Sequence, residues 1–133
     1  MEKIRFHDKF YLNEDRREKP KECFVRSAKY IQEFITPLKQ DEINFIDIGC
    51  ASGDFIWYLN SLEFIKKKNI KLQGADIRKD LLDLISERIP EVKTSILDIS
   101  SKESTKNTIK NFQKKFDISF MCGVNAIFDN CEW

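Results

Sequence analysis

Three aspartates and one loop of small residues hold most of the chemistry this sequence can offer. The loop is Asp47-Ile48-Gly49-Cys50-Ala51-Ser52-Gly53-Asp54. Glycines in such a loop let the backbone turn tightly and approach a ligand, and a helix starting there presents unpaired N–H groups. The loop reads G-x-A-x-G, and Asp54 follows at once. A dinucleotide fingerprint, G-x-G-x-x-G, sets a pyrophosphate on that helix start, where the Asp54 carboxylate would repel it. Asp47, two residues ahead of the first glycine, suits a ligand carrying a positive amine instead. Two more acids stand in comparable settings, Asp76 in Gly74-Ala75-Asp76-Ile77 and Asp98 in Ile96-Leu97-Asp98-Ile99. Asp76 suits a ribose diol, whose two donors match a two-oxygen acceptor, and Asp98 could accept from the exocyclic amine of adenine.

For these acids to meet, each has to end a parallel strand. The segment Ile43-Asn44-Phe45-Ile46-Asp47-Ile48 is β-branched and aromatic and stops at Gly49, which predicts a strand. Lys71 to Ile77, Val92 to Ile99 and Phe116 to Cys122 read as three more, the last apolar on both faces. Between them run helical patterns. Lys21 to Leu38 carries a stripe at Phe24, Ala28, Ile31, Ile35 and Leu38. Gly53 to Lys68 buries Phe55, Ile56, Leu59, Leu62 and Ile65. Asp80 to Ile89 turns Leu81, Leu82, Ile85 and Ile89 inward, and Ser101 to Lys115 is a weaker helix facing in through Ile109 and Phe112. Strands alternating with helices of this length mean right-handed βαβ units and a parallel sheet with helices on both faces. Ligands of such sheets bind outside the carboxyl ends of the strands. That end carries Asp47, Asp76 and Asp98, whereas Asp117 opens the fourth strand at the opposite end.

The joint pattern resembles the N-terminal, cofactor-binding half of a class I S-adenosylmethionine-dependent methyltransferase, from about Ile43 to Phe128. The resemblance implies a Rossmann-like α/β fold with four strands present in the order 3-2-1-4 and the C-terminal strands of a seven-stranded sheet missing. It also implies S-adenosylmethionine as cofactor. The loop residues Asp47, Gly49, Cys50, Ala51, Ser52 and Gly53 would contact its methionine part, Asp76 with Ile77 its ribose, and Asp98 with Ile99 its adenine. Cys122, at the end of the fourth strand, borders the same crevice. Ala51 stands where the family commonly has a glycine. Ile127, within Val124-Asn125-Ala126-Ile127-Phe128, stands where many small-molecule members carry a histidine, and the Asn/Asp-Pro-Pro-Tyr/Phe motif is absent from that stretch. No general base is assigned, and no catalytic residue with it.

Each acid also has a purely local reading. Asp47 could hold its loop through backbone N–H groups, Asp76 could serve a turn, and Asp98-Ile-Ser-Ser is an ordinary helix approach. Cys50 and Cys122 read individually as small buried residues, and His7 as a surface residue. Arg16, Arg17 and Arg26 could fold toward a cofactor carboxylate, although solvated charge is the simpler role for each.

Composition narrows the classes further. The 133 residues carry 23 Lys+Arg against 22 Asp+Glu, a net charge of +1, which gives no electrostatic footprint for nucleic acid. Sixteen aromatics, eleven of them Phe, suffice for one packed domain. No apolar run is long enough to span a membrane, and the charged N-terminus is unlike a secretory signal. The four cysteines form no CxxC pair, so neither a zinc site nor a disulfide framework is expected, and reduced thiols in the cytoplasm are. Residues 1–20 read as a polar arm and 21–133 as the binding domain. The expected partner is a small-molecule acceptor, with no nucleic acid and no membrane. The fourth strand, with no fifth beside it, offers an edge for self-association. Two rival functions stay open: a non-catalytic cofactor-binding or interaction module, and a nucleotide-dependent oxidoreductase, which Asp47 and Asp54 disfavour.

Overall fold

The apolar segment around Phe45 forms one of the two inner strands of a four-stranded parallel sheet in the computed structural model, which describes residues 18–112 and 115–122. The elements are helix α1 (Glu22–Ile35), strand β1 (Ile43–Ile48), α2 (Asp54–Asn60), α3 (Glu63–Lys67), β2 (Ile70–Asp76), α4 (Lys79–Arg88), β3 (Lys93–Ile96), α5 (Lys102–Asn111) and β4 (Ile118–Met121). The spatial order is β3-β2-β1-β4, and every pairing is parallel. This is the Rossmann-like 3-2-1-4 arrangement. Strand β1 pairs Asp47 with Gly74 of β2 and Ile48 with Met121 of β4, and Asp76 ends β2 opposite Ile96 of β3.

Side chains alternate across a strand, so Ile43, Phe45 and Asp47 share one face of β1. That face meets the larger apolar layer, where Ile31 and Ile35 of α1, Phe55, Ile56 and Leu59 of α2, and Leu82 and Ile85 of α4 are buried. The other face carries a smaller cluster of Ile46, Ala75 and Leu97, with Ile48, Ile99, Phe112 and Phe116 packed against it. Asp117 pins the amino end of the sheet: its carboxylate accepts from the Asn44 N–H at 2.8 Å and the Gln40 amide at 3.1 Å, and the Asn44 bond, then Gln40, lowers its pKa.

Four expectations need correction. The helix expected over 53–68 is two helices, because Leu62 is extended (φ −86°, ψ 134°) and the Ser61 hydroxyl donates to the Tyr58 carbonyl at 2.6 Å, competing with helical pairing. Strand β3 is four residues rather than eight, so Asp98 lies just past its end. Helix α5 buries none of its residues, and Ile109 is 56% exposed. Its first turn is capped by the Ser101 hydroxyl accepting the Ser104 N–H at 3.1 Å, and the Thr108 hydroxyl ties it to the Ile96 carbonyl of β3 at 3.4 Å. Strand β4 is not apolar on both faces: Ile118 and Phe120 pack inward, while Ser119 and Met121 are exposed.

Candidate functional site

The small-residue loop folds back over the end of β2. The Gly49 and Cys50 N–H groups both donate to the Ala75 carbonyl, at 2.8 and 3.1 Å, and the Gly53 N–H closes the turn on the Cys50 carbonyl at 2.9 Å. The Ala51 N–H then donates to Asp76 Oδ2 at 2.8 Å. Asp76 Oδ1 accepts from the Arg78 N–H at 2.9 Å. The second-strand carboxylate is therefore also the clamp that gives the first loop its shape. Each of its oxygens keeps a further lone-pair direction for a ligand.

Gly53 is required twice over. It opens α2 in the left-handed region at φ +80°, and a Cβ there would lie 2.7 Å from Cγ1 of Ile85 on α4. Ala51 occupies the same region at φ +50° with its methyl group in place, a conformation that L residues adopt at a cost. Gly74, two residues before Asp76 on β2, also shapes the site. A Cβ on it would meet Cys50 Sγ at 2.8 Å and Ile56 Cδ1 at 3.0 Å, so its bare backbone lets Cys50 tuck under the loop. A glycine inside a strand is the signal that could have found it.

Asp47 is 4% exposed, and no described residue donates a hydrogen bond to its carboxylate. Burial, and then the charge of Asp76, push its pKa up to about 8. Burial also holds the Cys50 thiol protonated, reinforced by Asp47 and Asp76, so Cys50 is a packing residue, as its size suggested. Ser52 is buried, with its hydroxyl 3.5 Å from Asp54 Oδ1.

Asp98 closes on its own approach to α5, its Oδ1 accepting from the Ser100 N–H at 3.0 Å and from the Ser100 hydroxyl. Ile77 is exposed, and Ile99 is half-buried against the smaller cluster. Cys122 is exposed rather than buried, lying one residue past the end of β4. Arg26 pairs with Glu22 on the surface of α1 at 2.6 Å. His7, Arg16, Arg17, Cys131, most of the 1–20 arm and the 124–128 stretch lie outside the described residues.

Among the described residues no group of three or more His, Cys, Asp or Glu could hold a metal ion, and no helix is long and apolar enough to cross a membrane. A cavity of about 720 Å³ opens at the other end of the strands between Asn44, Lys71 and Phe116, and none of the three acids lines it.

The sequence matches no protein-family model and no curated protein. Solved structures do resemble it. The CurJ carbon methyltransferase superposes with a TM-score of 0.60 at 16% identity, over 74% of this chain and 26% of that one. The DszA carbon methyltransferase gives 0.57 at 16% identity, over 74% and 27%. CalS10, an amino pentose methyltransferase from Micromonospora echinaspora with S-adenosylmethionine bound, gives 0.53 at 16% identity, over 92% and 44%. The chain spans between about a quarter and under half the length of these proteins. At such identities the likeness is one of fold: over its described span the chain has the class I S-adenosylmethionine-dependent methyltransferase fold.

Proposed function

We propose that the loop after β1, with Asp47, Asp76 and Asp98, holds S-adenosylmethionine, and that the protein containing this chain transfers a methyl group to a small-molecule acceptor. The observation that carries this reading is the Asp47 carboxylate, buried at the carboxyl end of β1 without a hydrogen-bond donor among the described residues. A buried carboxylate either takes a proton or finds a cation, and a ligand with an ammonium group and a sulfonium supplies one. The remaining acceptor capacity of Asp76 suits the ribose hydroxyls, and Asp98 Oδ2 suits a donor on adenine. Gly49 through Gly53 form the cradle, with Ser52 and Cys50 beneath it.

When bound, the cofactor supplies an electrophilic methyl group on sulfonium. Such a group needs alignment with a nucleophile more than help from an acid or base. The chain's own contribution is accordingly binding and orientation. Asp76 ties the loop to the second strand, Gly53 sets the start of α2, and Asp47 provides negative charge at a fixed point. A small-molecule acceptor fits a near-neutral net charge of +1, and cysteines without paired spacing fit a reducing, cytoplasmic compartment.

Calorimetry on the chain, with S-adenosylmethionine, S-adenosylhomocysteine and a nicotinamide dinucleotide, tests the reading. Binding of the first two, weakened in Asp47→Asn, is expected. Binding of the dinucleotide alone would overturn it. Cofactor binding by the longest reading frame without transfer to any acceptor would favour the non-catalytic module.

A further inference from the structure

Asp47 and Asp76 lie close along the sheet but are served very differently. Asp76 accepts two backbone N–H groups, from Ala51 at 2.8 Å and from Arg78 at 2.9 Å. Asp47 accepts from no described residue, although it is buried. Its register explains why. It sits between Gly74 of β2 and Phe120 of β4, and neither side chain can donate to it. The side chains that α1, α2 and α4 bury against its face of the sheet are all apolar.

A carboxyl group buried without a donor or a counter-ion keeps its proton at neutral pH. The raised pKa of Asp47, about 8, from burial and then the Asp76 charge, agrees with that geometry. Given S-adenosylmethionine in the loop, the reading on which this rests, we propose that Asp47 selects for an amine cation by proton exchange. The empty site holds one proton on this carboxyl, and the ammonium group of the seated ligand displaces it to solvent.

The surrounding titratable groups leave that role to Asp47. Cys50, in the loop, is held protonated by burial and then by the charges of Asp47 and Asp76. Cys122, two positions past Phe120, also has its pKa raised, first by partial burial. Lys21, ahead of α1, faces Cys122. Asp54, in the first turn of α2, lies against the Ser52 hydroxyl, and Arg78 pairs with Asp80 at the start of α4.

The exchange is acid–base chemistry only. The O–H bond of the Asp47 carboxyl breaks, its proton passes to buffer, and the carboxylate pairs with the ligand's ammonium, which keeps its three protons. A ligand with the same adenine and ribose but no amine leaves the proton in place.

The test is calorimetry on the full chain at pH 7 in phosphate and in Tris, whose different ionisation heats count the protons released. S-adenosylmethionine and S-adenosylhomocysteine should each release close to one proton, and 5′-methylthioadenosine, which lacks the amine, none. From pH 6 to 7, where the ligand's own α-amine stays charged, affinity for S-adenosylmethionine should tighten about tenfold. Asp47→Asn should release no proton and change less than about twofold over that range, with His7 present in both proteins. The proton is also visible without ligand, as a protonated-carboxyl C=O band in the infrared difference between the chain and Asp47→Asn, lost when S-adenosylmethionine is added. Binding without proton release, or no such band in the ligand-free chain, would overturn the exchange and leave the cofactor reading standing. Failure of both adenosyl amino acids to bind would overturn the cofactor reading and the exchange with it.

Discussion

The backbone N–H of Ala51 donates to the carboxylate of Asp76, 2.8 Å away and 25 positions along the chain. One acid at the end of β2 thus shapes the loop that follows β1. Removing it should have two effects. Asp76→Ala should destabilise the fold by about 1–3 kcal/mol, since two N–H groups lose a charged acceptor, and should weaken S-adenosylmethionine binding by a similar amount. Asp117→Ala removes the clamp at the opposite end and should cost only about 0.5–1.5 kcal/mol of stability, leaving binding unchanged in folded protein. Urea titration and calorimetry on both variants check this, and equal losses of binding would contradict the placement of the ligand.

Ala51 holds a left-handed backbone conformation with a methyl group attached. Ala51→Gly should relieve it, and the gain should exceed the entropy that glycine restores to the unfolded chain. A net stabilisation of up to about 1 kcal/mol is expected, visible as a rise of a few degrees in thermal melting. A drop in melting temperature would show that the methyl group makes a compensating contact.

Gly53 is the opposite case. Gly53→Ala brings a methyl group against Ile85 at a backbone angle alanine disfavours, and a loss of about 2–4 kcal/mol is expected. Ile85→Ala should cost a similar amount alone, through the cavity it leaves. Together they should cost clearly less than the sum, because the new methyl group occupies part of that cavity. Strict additivity in a double-mutant cycle would refute the contact.

Asp47 should give the ligand-free protein a distinctive pH dependence. Its pKa is about 8 in the folded chain and near 3.8 when unfolded. Between those values the unfolded state has lost the proton while the folded state keeps it, so this group's contribution to stability falls as pH rises and levels off above about 8. Asp47→Asn removes that slope. Relative to the variant, the unmodified chain should lose stability on the order of a few kcal/mol from about pH 4.5 to 8. Denaturant unfolding of both across that range gives the difference, in which the other titrating groups cancel.

Much of this site was legible in the residues themselves. The alternation of β-branched runs with helical stripes, such as Phe45 and Ile46 against Leu82 and Ile85, prescribes a parallel sheet, because period and handedness are local properties of a chain. Asp47 and Asp76 could be placed at strand ends by counting, whereas Asp98 falls two residues past the end of β3. What counting could not supply is what each acid meets. Asp47 lies on the same face of β1 as Ile43 and Phe45, under the layer made by α1, α2 and α4, and its raised pKa exists only once those helices have packed. Asp76 becomes a clamp because Ala51 folds back to it, and Gly74 matters because Cys50 arrives above it. The exposure of Ile109 belongs with these. Each is decided by groups far apart in sequence, whose desolvation and contact energies arise only when the sheet brings them together.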